Sequence, residues 1–152
     1  MQKKLSNSVK IKLIKLDRNK ILEELKLLVK DWIKICKLKL VVLFGSLSKG
    51  TYHIGSDADI LIVAEDIPQN FSERFDMFFT PNLSIGLHPV IYTTEELFRE
   101  INKPNTFIIE IFHNFELLYG EQNFLDTILD KIKYIINKRQ LIRHSYGWEI
   151  KK

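Results

Sequence analysis

The chain has 152 residues, of which 45% are hydrophobic and 28% are charged, and its formal net charge is +4. These values are typical of a single globular domain, and the small positive charge is compatible with nucleotide or nucleic-acid binding without requiring either. The single cysteine, Cys36, excludes an internal disulfide and favours a reducing compartment. No apolar run approaches the roughly 18 residues of a membrane span, and the opening residues lead into no signal-type apolar core. We therefore expect a cytoplasmic protein with no membrane partner.

The first part of the chain predicts one strand and one helix. Residues Val9 to Leu16 largely alternate between apolar residues and lysine, which predicts a short edge strand. Asp17 is placed to cap a helix that runs to about Lys37. Apolar side chains recur every three or four residues along this helix: Ile21, Leu25, Leu28, Trp32 and Ile35.

Two short apolar runs follow, separated by a polar turn. Leu40 to Phe44 and Ile60 to Ala64 are bounded by Gly, Ser or Asp, and each predicts a buried strand. Between them, Gly45 and Ser46 predict a turn into a short helix that Ser46 or Ser48 caps. Backbone N–H groups that are free at such a turn form a seat for a phosphate.

Asp57 and Asp59 stand at the start of the second apolar run, on either side of Ala58. Alternate residues of a strand share a face, so both carboxylates are predicted to project together, with Cα atoms about 6.5 Å apart. This separation allows them to bind one metal ion or to bridge two ions about 3.5–4 Å apart. Hard carboxylate oxygens with no cysteine nearby favour Mg²⁺ or Mn²⁺ over zinc. The pattern predicts a site for a metal-bound nucleoside triphosphate.

Six further elements are predicted after this stretch. In chain order they are a brief helix at 71–79, a strand at 84–92, a helix that stops before Pro104, a short helix at 105–114, a small strand at 115–119 and a last helix at 121–138. Thr93 and Glu96 form a capping box at the start of the second of these helices. We expect one domain over 1–152, with a core at about 17–120 and a C-terminal helix and basic tail at 121–152.

The spacing G-S-x10-D-x-D, formed by Gly45, Ser46, Asp57 and Asp59, resembles the DNA polymerase β-like nucleotidyltransferase superfamily, and most closely its minimal nucleotidyltransferases. Lys49 stands where relatives usually have arginine. The resemblance implies an α+β fold with a short mixed sheet and helices packed mainly on one side. It also implies that Gly45, Ser46 and Lys49 bind the nucleotide phosphates and that Asp57 and Asp59 bind metal.

The third strand departs from the pattern of the superfamily, which places a third carboxylate there as a metal ligand and often as the base. His88 occupies that position here, and no Asp or Glu lies between Asp76 and Glu95. A neutral imidazole binds transition metals or accepts a proton but is a poor Mg²⁺ ligand. Three interpretations stay open: a ligand and base in a variant site, a site that has lost transfer chemistry but still binds, and an exposed histidine without a role. Pro89 lacks a backbone N–H, which predicts an edge strand.

The resemblance implies transfer of a nucleoside monophosphate from an NTP, ATP by analogy, to an acceptor hydroxyl. Many minimal nucleotidyltransferases act as antitoxins paired with helical HEPN toxins, which some of them modify with AMP. We therefore expect a Mg²⁺- or Mn²⁺-dependent nucleotidyltransferase with a HEPN-type partner. The alternative is a catalytically degenerate antitoxin that acts through nucleotide or partner binding alone.

Other polar residues carry less weight. His53 is predicted to be exposed, and His113 is predicted to be structural. Arg139 and His144 form an R-x4-H spacing that resembles the ribonuclease signature of HEPN domains. A HEPN domain needs a helical bundle, which the roughly 30 residues around this spacing cannot build. We reject that interpretation.

Overall fold

The structure, a computed structural model, describes residues 17–52 and 55–151. These residues form six helices and six strands. In chain order they are α1 (Arg18–Ile35), β1 (Lys37–Phe44), α2 (Gly45–Lys49), β2 (Ala58–Glu65), α3 (Phe71–Phe78), β3 (Leu87–Tyr92), α4 (Thr94–Asn102), α5 (Thr106–Ile111), β4 (Glu116–Gly120), α6 (Gln122–Arg139), β5 (Leu141–His144) and β6 (Gly147–Ile150). The predicted strand at Val9 to Leu16 and the predicted exposure of His53 lie outside the described residues.

Helix α1 begins at its predicted cap and packs through one face. The Asp17 carboxylate accepts a hydrogen bond from the Lys20 N–H at 3.2 Å, which satisfies one of the free donors of the first turn. The helix ends at Ile35, about two residues earlier than predicted, because β1 already begins at Lys37. The buried residues lie three or four positions apart: Ile21, Leu25, Val29 and Trp32.

Four strands form a mixed sheet in the order β3-β2-β1-β4. Strand β1 pairs antiparallel with β2 and with β4, whereas β2 pairs parallel with β3. Within the described part of the chain β3 has one neighbouring strand, which confirms the edge position predicted from Pro89. The register aligns Phe44 of β1, Asp59 of β2 and His88 of β3 in one row across the sheet.

Side chains of the two central strands alternate between two hydrophobic cores, one on each face of the sheet. Val42 and Leu61 belong to the core beneath α4, α5 and α6, whereas Val41 and Ile62 belong to the core beneath α1 and α3. The predicted α+β fold with a short mixed sheet is confirmed. The helices are spread more evenly than the expected packing mainly on one side, because both faces of β1 and β2 are apolar and each needs a cover.

A buried arginine holds the edge strand against α3 and α4. Arg74 is 3% exposed and donates to the Ile91 carbonyl at 3.5 Å and to the Glu96 carboxylate at 3.0 Å. Both hydrogen bonds of the capping box predicted at Thr93 and Glu96 are present. Burial raises the pKa of Glu96, but the hydrogen bonds from Arg74 and Thr93 outweigh burial and lower this pKa overall. This network fixes the end of β3 opposite to His88.

The C-terminal region contains a hairpin that the sequence did not predict. Gln140 adopts a left-handed conformation after α6, and the chain then forms the antiparallel pair β5 and β6. Leu141 is buried in the core beneath α6. Among the described residues, no helix is both long enough and apolar enough to cross a membrane.

Candidate active site

The turn from β1 into α2 is built on Gly45, which has a φ of +73°. Phe44 is the N-cap residue of α2, and no side chain caps this helix start. The expected capping by Ser46 or Ser48 is wrong, because both serines lie inside the helix. The first N–H groups of a helix have no partner within the helix, so this turn presents backbone donors to a ligand.

The two aspartates lie at the beginning of β2, beside this turn. Ala58 is fully buried, whereas Asp59 is partly exposed and Asp57 is exposed, as the predicted alternation requires. The Ala58 N–H donates to the Gly86 carbonyl at 2.8 Å, which fixes the start of β2 against the segment that leads into β3. Both carboxylates therefore project from a backbone that is held on either side.

Two glycines make room for the two carboxylates. A Cβ atom at Gly45 would lie 2.3 Å from Asp59 Oδ2, and a Cβ atom at Gly86 would lie 2.3 Å from Asp57 Oδ1. Any other residue at these positions would therefore displace a carboxylate. Sequence reasoning missed Gly86, although its place directly before β3 is a signal of close approach to a neighbouring strand.

His88 lies beside Asp59 because the two residues are paired across the parallel strands β2 and β3. The His88 Nδ1 atom lies 3.0 Å from Asp59 Oδ1, and 69% of the His88 side chain is exposed. An ionised carboxylate only accepts hydrogen bonds, so this contact places the proton of a neutral imidazole on Nδ1 and leaves Nε2 as an acceptor. The structure thus places the His88 ring next to the Asp59 carboxylate, and the role of His88 stays a prediction.

The donor set fits a metal ion that is bound together with substrate. The described residues contain no group of three or more His, Cys, Asp or Glu arranged to hold a metal. Asp57 and Asp59 supply hard oxygen atoms, and the glycines opposite them leave the space that these carboxylates occupy. Mg²⁺ is commonly held by one or two carboxylates together with substrate phosphates and water. Two carboxylates beside a turn with uncapped backbone N–H groups match that requirement.

A cavity of about 210 Å³ adjoins the turn. Gly45 and Lys49 line it together with Glu110 of α5, which sequence reasoning did not select. The rings of Phe44 and Phe107 meet edge to face on its apolar side, with centroids 5.9 Å apart. The cavity therefore combines an apolar wall, a cation and a carboxylate next to the turn.

The family model described as "nucleotidyltransferase domain" matches residues 18–142, which include the whole of this site. The chain belongs to the nucleotidyltransferase domain family. The predicted superfamily is thereby confirmed, and the site lies where the turn of this nucleotidyltransferase domain meets the two aspartates.

Several known proteins share the sequence and the fold of this nucleotidyltransferase domain. A protein of Methanocaldococcus jannaschii, named as a putative protein adenylyltransferase, is 25% identical over 134 residues, which cover 79% of this chain and 90% of that protein. A crystal structure of a toxin–antitoxin complex with AMP-PNP contains a chain that is 27% identical, with a TM-score of 0.53 and coverage of 82% of this chain and 94% of that one. A mutant of the toxin–antitoxin complex MntA–HpeT is 26% identical, with a TM-score of 0.50 and coverage of 83% and 94%.

Arg18 supports the turn at Gly45 and Ser46 of the nucleotidyltransferase domain from behind. Its Nε atom donates to the Leu47 carbonyl in α2 at 2.9 Å, and its guanidinium forms an ion pair with Glu116 of β4. Leu47 is itself buried in the core beneath α1. The short helix is therefore tied to both α1 and β4, which keeps the turn in place without a capping side chain.

The remaining candidates lie in separate contacts. Arg139 donates to the Lys103 carbonyl at 3.0 Å, whereas the His144 Nε2 atom lies 2.7 Å from Glu149 Oε2. The R-x4-H spacing thus serves two separate structural contacts. His113 packs edge to face on the Trp148 ring.

Proposed function

We propose that this protein transfers a nucleoside monophosphate from an NTP to an acceptor hydroxyl with the help of Mg²⁺ or Mn²⁺. The observation that carries the proposal is the position of the two carboxylates beside the turn at Gly45, to which we assign phosphate binding. Gly86 leaves the space for Asp57, and Gly45 leaves the space for Asp59. Membership of the nucleotidyltransferase domain family supports the same chemistry. A carboxylate pair without a nearby phosphate seat would bind cations but would not orient a triphosphate.

Each residue of the site has a distinct task in this proposal. The backbone at Gly45 and Ser46 donates hydrogen bonds to the phosphate oxygens, and Lys49 offsets their negative charge. Asp57 and Asp59 hold the metal. When it is bound, a divalent metal offsets the negative charge that develops on the entering and leaving oxygens of an in-line phosphoryl transfer.

The reaction is a displacement at the α-phosphorus. A bond forms between the acceptor oxygen and the α-phosphorus, the bond to the bridging oxygen of the β-phosphate breaks, and pyrophosphate leaves. His88 Nε2 takes the proton of the acceptor hydroxyl, and the hydrogen bond from Nδ1 to Asp59 orients the ring for this step. The exposure of His88 lets an acceptor on another molecule reach it.

The donor is ATP and the acceptor is a hydroxyl group of a protein, so the product is an AMP-modified partner. The relative named as a protein adenylyltransferase and the toxin–antitoxin complex that holds AMP-PNP both support this assignment. The partner that the resemblance favours is a HEPN-type toxin, which makes this protein the antitoxin of the pair.

Substitution of the two aspartates tests the proposal. Asp57→Asn with Asp59→Asn keeps the side-chain shape but removes the charge that binds metal, so titration calorimetry should show Mg²⁺–ATP binding weakened at least tenfold. Asp126→Asn with Asp130→Asn is the matched control, because both residues are exposed on α6 and the net charge changes equally. Equal binding by the site variant and the wild type would overturn the proposed site.

A second measurement separates catalysis from binding. Wild-type protein, labelled ATP, Mn²⁺ or Mg²⁺ and the protein encoded by the neighbouring gene should yield labelled partner, and the site variant should not. The substitution of a histidine for the third carboxylate favours the binding-only alternative. Tight Mg²⁺–ATP binding by the wild type without any transfer would establish that alternative.

A further inference from the structure

The C-terminal hairpin holds one carboxylate of α5 with three hydrogen bonds. Glu110 Oε2 accepts from Arg143 Nε at 3.1 Å and from Trp148 Nε1 at 2.7 Å, and Glu110 Oε1 accepts from Arg143 Nη2 at 2.8 Å. The two donors stand on β5 and β6, so both strands of the hairpin contribute. A forked contact of this kind fixes the plane of the carboxylate as well as its position.

The same carboxylate belongs to the cavity beside the phosphate-binding turn. Glu110 lines that cavity with Gly45 and Lys49, and its side chain is 33% exposed. Glu110 therefore connects the hairpin with the cavity next to the turn.

The charge of Glu110 limits what can lie next to it. The hydrogen bond from Arg143 has the largest effect on the pKa of Glu110 and lowers it; burial opposes this effect, and the hydrogen bond from Trp148 adds to it. The carboxylate is thus ionised at neutral pH and only accepts hydrogen bonds. Phosphate oxygens are acceptors as well and cannot hydrogen-bond to it, so the part of a nucleotide that suits Glu110 is the nucleoside, which carries N–H and O–H donors.

We propose that Glu110 is a specificity-determining residue that accepts a hydrogen bond from the nucleoside part of the NTP, and that Arg143 and Trp148 are positioning residues that aim it. This inference rests on the proposed function. Three hydrogen bonds to the carboxylate leave acceptor capacity for a ligand, because two oxygens offer about four lone-pair sites. The rings of Phe44 and Phe107 supply the apolar wall against which a base or ribose packs.

Titration calorimetry with ATP analogues identifies the donor. The analogues are 2′-deoxyATP, 3′-deoxyATP and purine riboside triphosphate, each of which lacks one hydroxyl or the exocyclic amino group. The analogue without the contacted donor should bind the wild type about tenfold more weakly than ATP, as expected for loss of a hydrogen bond to a charged group. Equal binding of all three analogues and ATP would overturn the proposal, whatever the variants show.

Variants then connect that preference to the hairpin. The Glu110→Gln variant should bind ATP about tenfold more weakly than the wild type does. It should bind the analogue that lacks the contacted donor no worse than it binds ATP. Trp148→Phe keeps an aromatic ring but lacks the N–H, so the preference for ATP over that analogue should be reduced but not lost. Arg143→Lys should preserve more of this preference than Arg143→Met. Glu149→Gln is the matched control in the hairpin, since Glu149 contacts His144 and not Glu110.

The outcomes separate this inference from the proposed function. An unchanged preference in Glu110→Gln, together with lost binding in the Asp57→Asn and Asp59→Asn variant, would overturn the inference and leave the function standing. Thermal unfolding of each variant detects a merely structural effect. A loosened hairpin would lower the melting temperature but would not change the affinity for one analogue relative to the others. If the wild type binds no nucleotide, the proposed function fails and this inference fails with it.

Discussion

Gly45 and Gly86 each leave the space that one carboxylate of the site occupies. The atoms that a Cβ would meet are carboxylate oxygens, which lie at the ends of side chains. A substitution would therefore move a carboxylate more readily than it would distort the backbone. At Gly45 the left-handed φ of +73° adds strain, whereas Gly86 lies outside that region of φ.

We expect Gly45→Ala and Gly86→Ala each to weaken Mg²⁺–ATP binding by tenfold or more, because each displaces one metal ligand. Gly50→Ala is the control for strain: Gly50 has a φ of +77°, but a Cβ there would meet nothing within 4 Å. It should lower stability by about 1–2 kcal/mol and leave binding unchanged. Calorimetry and thermal melts of the three variants distinguish these effects. If Gly50→Ala binds Mg²⁺–ATP as weakly as Gly45→Ala does, the loss of binding in Gly45→Ala is due to backbone strain and not to a displaced carboxylate.

His88 is the residue at which the site departs from its superfamily. Its contact with Asp59 at 3.0 Å favours a base held by a carboxylate over a residue without a role. His88→Ala should abolish transfer and spare Mg²⁺–ATP binding, since both aspartates stay. His88→Asp restores a hard oxygen ligand and a base, so Mg²⁺-dependent transfer should appear or rise.

His144→Ala is the matched control for His88→Ala, because it removes another imidazole–carboxylate contact, that with Glu149. Its transfer rate should equal that of the wild type in a labelled-AMP assay. Full transfer activity in His88→Ala would show that another group or water takes the proton.

At the scale of elements, local periodicity accounts for what the sequence could predict. The two-residue period of a strand predicted that Asp57 and Asp59 share a face and that Ala58 points the other way, and the burial of Ala58 beside the two more exposed aspartates agrees. His88 was placed through the resemblance to the superfamily, whose third carboxylate stands at that position, and the structure pairs it with Asp59 across β2 and β3.

Contacts between distant elements were beyond that reasoning. Glu110 becomes part of the site only because α5 packs beside the turn and the hairpin meets it from 33 and 38 residues away. Gly86, directly before β3, matters only through its approach to Asp57, directly before β2. The hairpin itself was missed because two strands of four residues each carry too short an alternation to stand out from a basic tail.

At the scale of the whole molecule, the site lies where β1 ends and where α2, β2 and β3 begin. The strands are held by a core on each face of the sheet, so their ends are positioned by nearly all of the packed interior. Hydrogen bonds from Arg18 to α2 and from Arg74 to β3 also hold the turn and the edge strand in place. Ligand binding at such a point depends on the native packing and is absent from the unfolded chain.

This linkage predicts a thermal shift. A ligand that binds only the native state at 100 times its Kd adds about 2.7 kcal/mol of stability, and a domain of this size gains about 2–4 °C per kcal/mol. We therefore expect saturating Mg²⁺–ATP to raise the melting temperature by about 5–10 °C in a calorimetric scan. EDTA should remove most of this rise, because the phosphates would then face Asp57 and Asp59 without a cation between them. The Asp126→Asn, Asp130→Asn control should show the full shift, and the Asp57→Asn, Asp59→Asn variant should show little. A shift that survives both EDTA and the site variant would mean that ATP stabilises the fold from somewhere other than the carboxylate pair.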